Sequence, residues 1–151
     1  MKLTRYTDFG IRILMYVAMQ PEREVLFRIS EVTEVFELSS NHVAKIIHHL
    51  GKLGYIQTIR GKSGGFKLAV EASEINLGTL VGQLENSLAP IDCNEPRCRF
   101  TSACAFKGIL GKALAAYMAV LAQYTLADIV ANKEELISTL SDLSIPVLEV
   151  A

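Results

Sequence analysis

The sequence predicts a mainly α-helical chain with one small β-hairpin, arranged as a winged helix-turn-helix followed by a long helix. Two observations predict this fold. Apolar residues recur at helical spacing in several segments, and two short alternating segments flank a glycine-rich turn directly after the third helix. The length of 151 residues, half of them hydrophobic, suits one domain with a real core, or one small domain with an appendage.

The first two helices precede a short turn. The first is expected from Thr7 or Asp8, either of which can cap it, to about Met19, and Pro21 follows its end. The second is expected over residues 29–36, with its apolar side chains facing inward. A tight turn between the second and third helices makes this pair a candidate helix-turn-helix.

The third helix is expected from about Asn41 to Leu53. Ser39 and Ser40 precede it and are good N-cap residues, while Gly54 takes the glycine position after its end. Its apolar stripe at 3.6-residue spacing consists of Val43, Ile46, Ile47, Leu50 and Leu53. The helix therefore has one face for the core and one for solvent.

A β-hairpin is predicted next. Residues 55–59 and 66–70 alternate between apolar and polar, and the segment between them reads Arg60-Gly61-Lys62-Ser63-Gly64-Gly65. A helix-turn-helix followed by a hairpin is the order of elements in a winged helix.

Four further segments complete the chain. A helix is expected over residues 77–86, a loop that carries every cysteine over 87–105, a long helix over 106–124, and a short helix near 132–140 before a frayed end. The long helix has an apolar surface too wide for one contact within the chain, including Ala113, Ala116, Tyr117 and Val120. This surface favours a homodimer, although it would also serve to cover the winged helix within one chain.

The charge distribution points to a polyanionic partner. Net charge is −1, but residues 38–70 contain five Lys or Arg, three His and no Asp or Glu. On the third helix the polar face fits the major groove of double-stranded DNA, and the glycine-rich tip suits an approach to phosphates or the minor groove. The predicted DNA-binding residues are Ser39, Ser40, Asn41, His42, Lys45, His48, His49, Lys52, Arg60, Lys62 and Ser63. A plain solvated helix and hairpin is the alternative.

The cysteine loop is the second candidate site. Cys93, Cys98 and Cys104 are the only cysteines, and the residues between them are polar, which makes the loop a poor place for core packing. Three thiols leave a four-coordinate site one ligand short. An iron–sulfur cluster, a zinc site and redox-active thiols without metal all remain open at this point.

The segment from Thr4 to about Ile129 resembles the iron–sulfur winged-helix repressor family of bacteria. The matching pieces are the start Tyr6-Thr7-Asp8-Phe9-Gly10-Ile11-Arg12, the helix-turn-helix, the wing sequence Arg60 to Phe66 and the three cysteines. Among its members the chain looks most like the nitric-oxide-sensing repressors. Members that sense cluster supply typically have five residues between each pair of cysteines and a histidine three residues after the last. Here the first gap is four residues and that position is Lys107.

The resemblance implies a homodimeric repressor that leaves its operator when nitric oxide reacts with a cluster on the three cysteines, and so controls genes of nitrosative-stress defence. It implies a 2Fe–2S or 4Fe–4S cluster, and it offers Asp8 of the partner subunit as the fourth ligand. From the residues alone, Asp8 would merely cap the first helix or pair with Arg12. A cluster-supply or redox sensor, and a zinc- or thiol-stabilised interaction module, are the alternatives.

The sequence also predicts what the protein is not. It has no phosphate loop, no nucleophile–base arrangement and no paired acids, so an enzyme is not expected. Without a signal peptide or a run of apolar residues long enough to span a membrane, a cytoplasmic protein is expected. The expected division is a winged helix-turn-helix over 1–86, the cysteine loop over 87–105, and the dimerisation helix with the tail over 106–151.

Overall fold

The computed structural model describes residues 2–142, so residues 143–151 of the frayed end predicted after Leu140 lie outside the described residues. Within that part of the chain, the helices and strands follow one another in the predicted order, with a 3-10 turn and one short α-helix added. They are α1 Arg5–Ala18, α2 Ile29–Phe36, α3 Ser40–Lys52, β1 Ile56–Ile59, β2 Gly65–Leu68, a 3-10 turn Ala72–Glu74, α4 Leu77–Leu84, α5 Ala105–Leu121, α6 Leu126–Ile129 and α7 Lys133–Asp142.

The core forms where α1 packs against α3, α4, α6 and the hairpin. Apolar stripes of α1, α3 and α4 contribute most of it, in keeping with the helical spacing in the sequence. The largest fully buried side chains are Phe66, Ile13, Leu14, Ile46, Leu50, Ile75, Leu80 and Leu126. The predicted apolar stripe of α3 is confirmed at Val43, Ile46, Ile47 and Leu50, which are all buried.

The start of α1 differs from the prediction. The helix begins at Arg5, and its N-cap is Thr4, whose side chain accepts the backbone N–H of Thr7 at 3.3 Å. Thr7 lies inside the helix with a fully buried side chain, and its hydroxyl is 3.1 Å from that of Thr4. The prediction that Thr7 or Asp8 caps the helix was wrong, because the first turn begins ahead of the apolar run.

Both ends of α3 follow the predicted signals. Ser39 caps the helix by accepting the N–H of His42, so the helix starts one residue before the expected Asn41. At the other end the N–H of Gly54 reaches the carbonyl of Gly51 at 3.1 Å, and the N–H of Tyr55 reaches that of Leu50 at 3.0 Å. Gly54 has φ of 84°, so this is the helix-ending motif that glycine supplies.

The hairpin is shorter than predicted and gains an extra partner. Its two strands pair antiparallel, with Ile56 opposite Leu68 and Ile59 opposite Gly65. Val70 leaves the sheet because the chain bends towards the 3-10 turn. On the outer side of β2, Phe27 and Phe66 exchange two backbone hydrogen bonds of 2.9 Å. The segment between α1 and α2 thus holds the outer edge of β2.

The far half of the chain is joined to α4 by backbone contacts. The N–H of Leu77 donates to the carbonyl of Tyr124 at 2.9 Å, and the Asn76 side-chain amide donates to that of Ala122 at 2.8 Å. The short helix α6, which the sequence analysis missed, follows a capping box formed by Thr125 and Asp128. In contrast, α5 has no buried residue. No helix among the described residues is long and apolar enough to cross a membrane.

Candidate nucleic-acid interface and cysteine loop

One face of α3 presents a stripe of polar and basic side chains to solvent. Asn41, Lys45, His48 and Lys52 are exposed, and their spacing of four, three and four residues places them on one side of a helix. Ser39 and Ser40, at the start of the helix, are exposed as well. Since the segment contains no acid, this face can meet DNA phosphates without repulsion.

Two of the three predicted histidines lie at the edge of that face, against α1. His42 is half-buried, with its ring centroid 5.9 Å from that of Phe9 in an edge-on arrangement. The Nδ1 atom of His49 lies 3.0 Å from the hydroxyl of Tyr6. Burial raises the pKa of Tyr6, so at neutral pH its hydroxyl keeps its proton and is available to donate. These contacts tie α1 to α3, and DNA contact by either histidine stays a prediction.

The tip of the wing, residues 60–64, places Arg60, Lys62 and Ser63 in solvent. The turn is closed by a hydrogen bond of 3.0 Å from the N–H of Gly64 to the carbonyl of Gly61. Gly61 has φ of 117°, a conformation that other L-residues rarely adopt. The turn therefore exposes two cations on a narrow backbone, which is a shape suited to a DNA groove.

The cysteine loop is irregular between the end of α4 and Ala105. Cys93 is buried outside the main core cluster, while Cys98 and Cys104 are half-buried. The loop turns back on itself, because the N–H of Cys98 donates to the carbonyl of Cys93 at 3.0 Å and the hydroxyl of Thr101 donates to that of Cys98 at 2.8 Å. Cys93 and Cys98 consequently line one open hollow of about 740 Å³, together with Arg97 and Arg99.

The donors fit an iron–sulfur cluster in their chemistry, since such clusters are held by cysteine thiolates. Two arginines beside the hollow would offset the negative charge of thiolates. Cys104 precedes α5 as its N-cap residue and does not line the hollow. Within residues 2–142 of one chain, no three His, Cys, Asp or Glu side chains come together closely enough to hold a metal ion. The three thiols thus supply the ligand type but do not converge in the single chain.

Asp8 lies on the exposed side of α1 and pairs with Arg12 one turn on. The Nε and Nη2 atoms of Arg12 each lie 2.9 Å from one of the two carboxylate oxygens of Asp8. This ion pair is one of the two structural roles that the residues alone suggested for Asp8. Both side chains are about half exposed, so the carboxylate remains accessible to a second molecule.

Sequence reasoning missed the residues that join α1 to its neighbours. Glu85, the residue after α4, accepts the backbone N–H of Thr4 at 2.7 Å and its hydroxyl at 3.2 Å. Tyr6 and Phe9 contact the histidines of α3, as described above. No local signal in the sequence marks a hydrogen bond between residues 81 positions apart.

Known proteins similar to the chain are regulators of transcription and not enzymes. The model of the Rrf2 family, described as an iron-dependent transcriptional regulator, matches residues 3–132. The HTH-type transcriptional regulator NsrR of Shouchella clausii (strain KSM-K16) is 45% identical over 139 residues, which cover 90% of this chain and 93% of that protein. The regulator of the same name from Bacillus subtilis (strain 168) is 41% identical over 143 residues, or 93% of this chain and 97% of that protein.

Solved structures of similar shape confirm the winged-helix fold. The structure of T. potens IscR has a TM-score of 0.70 at 24% identity and covers 90% of either chain. The structure of CymR, the global cysteine regulator of B. subtilis, has a TM-score of 0.66 at 22% identity and covers 87% of this chain and 98% of that one. Together with the family match and the curated relatives, these findings place the chain: it belongs to the Rrf2 family of transcriptional regulators.

Proposed function

We propose that the protein is a nitric-oxide-sensitive repressor that binds double-stranded operator DNA as a homodimer. The observation that carries DNA binding is the exposed stripe Asn41, Lys45, His48 and Lys52 on α3, beside a wing tip with two exposed cations and no acid. Ser39 and Ser40 at the start of α3 and Ser63 on the wing add neutral donors to phosphates. A single recognition helix reads few base pairs, so two copies on a palindromic site extend the readout.

The thiolates of Cys93, Cys98 and Cys104 would hold an iron–sulfur cluster, of the 2Fe–2S or 4Fe–4S type. When bound, it supplies iron that reacts with nitric oxide. The residues of this chain provide soft sulfur donors in a loop without regular structure, and Arg97 and Arg99 lie beside two of them. The curated relatives named NsrR, 39–45% identical, support the choice of nitric oxide as the signal and of nitrosative-stress genes as targets.

The test uses protein prepared without oxygen and a duplex that it selects from random sequences. Visible absorption with iron and sulfide counts identifies the cluster, and fluorescence anisotropy measures operator affinity before and after nitric oxide. We expect nitric oxide to lower the affinity at least about tenfold, within the usual range of allosteric coupling. Cys98→Ser, which removes one donor, is the control that should neither load fully nor respond. An unchanged affinity after the absorption bleaches would contradict the proposal.

Two alternatives from the sequence are separated by the same preparation. If oxidants or loss of cluster supply, and not nitric oxide, abolish binding, the protein is a redox or supply sensor of the same family. If it contains zinc and no sulfide, the loop is a zinc- or thiol-stabilised module.

We further propose that Asp8 from the second subunit provides the fourth ligand. Its exposed carboxylate on α1 supports this role, and its pairing with Arg12 is the competing one. Asp8→Ala and Arg12→Ala separate them, because both variants break the ion pair but only the first removes a ligand. We expect a changed absorption spectrum in Asp8→Ala alone. The same absorption spectrum in both variants would show that Asp8 is not a ligand.

A further inference from the structure

A series of contacts inside one subunit runs from the cysteine loop to the DNA-facing helix. Its first step is Glu85, which follows α4 and lies two residues before the loop begins at Ser87. One oxygen of its carboxylate, Oε1, accepts both the N–H and the hydroxyl of Thr4. Thr4 is the N-cap of α1, so Glu85 holds the residue that caps that helix.

The second step is the first turn of α1, which is held at several points. The Thr4 carbonyl accepts the N–H of Asp8 at 3.0 Å, and the Thr4 side chain accepts the N–H of Thr7. The buried hydroxyl of Thr7 is anchored to the same side chain. Because these bonds fix the turn, a displacement at Thr4 moves the neighbouring residues with it.

The third step joins this turn to α3. The hydroxyl of Tyr6 lies 3.0 Å from Nδ1 of His49 and 3.5 Å from the carbonyl oxygen of Lys45. Phe9, one turn further on, contacts the ring of His42 edge-on. The contacts reach α3 next to Lys45 and His48, which are exposed on its DNA-facing side.

We propose that Glu85 and Tyr6 are positioning residues that couple the conformation of the cysteine loop to the position of α3 within a single subunit. The inference rests on the proposed function, since it needs a loop whose state changes. It differs from the ligand role of Asp8, which acts between subunits. When the loop rearranges, Glu85 moves with it and the Thr4 N–H loses its acceptor. Tyr6 passes that change to His49.

The experiment measures coupling as the ratio of operator affinities before and after nitric oxide, for the intact dimer. Tyr6→Phe removes only the hydroxyl, and Glu85→Ala removes the acceptor for Thr4. We expect the ratio to fall at least about threefold in each variant, with the visible absorption before nitric oxide unchanged. Glu85→Gln keeps an acceptor oxygen and should retain most of the wild-type ratio.

The chain offers a matched control in Tyr55→Phe. The hydroxyl of Tyr55 donates to Oε1 of Gln83 on α4 at 2.6 Å. Like Tyr6→Phe, this variant breaks a tyrosine hydrogen bond, but that bond lies outside the series of contacts described above. Its ratio should equal that of the wild type. Hydrogen exchange of the amides of residues 40–52 provides a second readout. It should increase on nitric oxide treatment in wild type and change less in Tyr6→Phe.

The outcomes distinguish the two proposals. A wild-type ratio of one overturns both the proposed function and this inference. A large wild-type ratio that Tyr6→Phe and Glu85→Ala retain overturns the inference alone. A bleached spectrum in Glu85→Ala before nitric oxide would make Glu85 part of the cluster site and would overturn its positioning role.

Discussion

The winged helix and the long helix α5 differ in how much of their apolar surface the single chain covers. In the winged helix, Ile13, Leu14 and Ile46 are fully buried. In α5, Ile109 is 60% exposed, Phe106 and Val120 are more than half exposed, and no residue is buried. The first region is complete in one chain. The second exposes apolar side chains of the kind found at protein interfaces, which agrees with the proposed dimer built on α5.

The cysteine loop, like α5, has groups that the single chain leaves exposed or apart. Its thiols are of the right type for a cluster, yet they do not converge within one chain, and Phe100 beside them is 76% exposed. The difference teaches that the proposed DNA-facing surface is formed within one chain, whereas the proposed sensing region has its thiols apart in one chain. A cluster and a second subunit are the components that the proposed function supplies.

The largest effect should come from truncating the same residue type in the two regions. Ile46→Ala removes a fully buried side chain, and we expect it to lower the free energy of unfolding by about 2–5 kcal/mol. Ile109→Ala, at an exposed site, should change it by less than about 0.5 kcal/mol in the monomer. Urea unfolding of the metal-free protein at low concentration measures both. Equal losses would mean that α5 is covered within one chain.

A charge placed on α5 should disrupt association. Ile109→Asp would bury a carboxylate in the proposed interface, so we expect the dissociation constant of the dimer to rise at least about tenfold, or about 1.4 kcal/mol. Sedimentation velocity measures it. Val25→Asp, at a site 64% exposed in the winged helix, is the matched control and should leave the dimer intact. If both variants associate like the wild type, the interface lies elsewhere.

The smallest effect should come from removing single cations from the DNA-facing surface. Lys45→Ala and Arg60→Ala should each weaken operator binding several-fold, since each removes about one phosphate contact. Each should also reduce the slope of log affinity against log salt by roughly 0.9. Lys112→Ala, an exposed cation on α5, should change neither the affinity nor the slope. An unaltered slope in Lys45→Ala would indicate that the DNA-facing surface does not lie on α3.

Much of the fold was readable from the sequence because its signals are local. The stripe of α3, its serine cap and Gly54 lie within one segment, and each predicted its structural role. The one-turn helix α6 was missed even though its Thr125-x-x-Asp128 capping box was present, since its apolar run is too short for a periodicity. The bridge from Phe27 to Phe66 and the bond from Glu85 to Thr4 depend on distant pairings, which no local pattern encodes.

In the candidate sites, too, features set by local sequence were predicted and features set by distant contacts were not. Exposure of Lys45 and Lys52 followed from helical periodicity, whereas the contact of His42 and His49 with α1 depends on how two helices pack. Thiol chemistry was evident from three cysteines in a polar loop. Their separation within one chain was not, because it depends on how an irregular loop folds.

The pairing of Phe27 with Phe66 has a consequence for aggregation. An unpaired strand edge is a template on which another chain can add a strand. Phe27 occupies the middle of the outer edge of β2 with two hydrogen bonds, so a foreign strand would first have to break them. The other edge belongs to β1, which has only four residues. Self-association by strand addition at this edge is therefore discouraged.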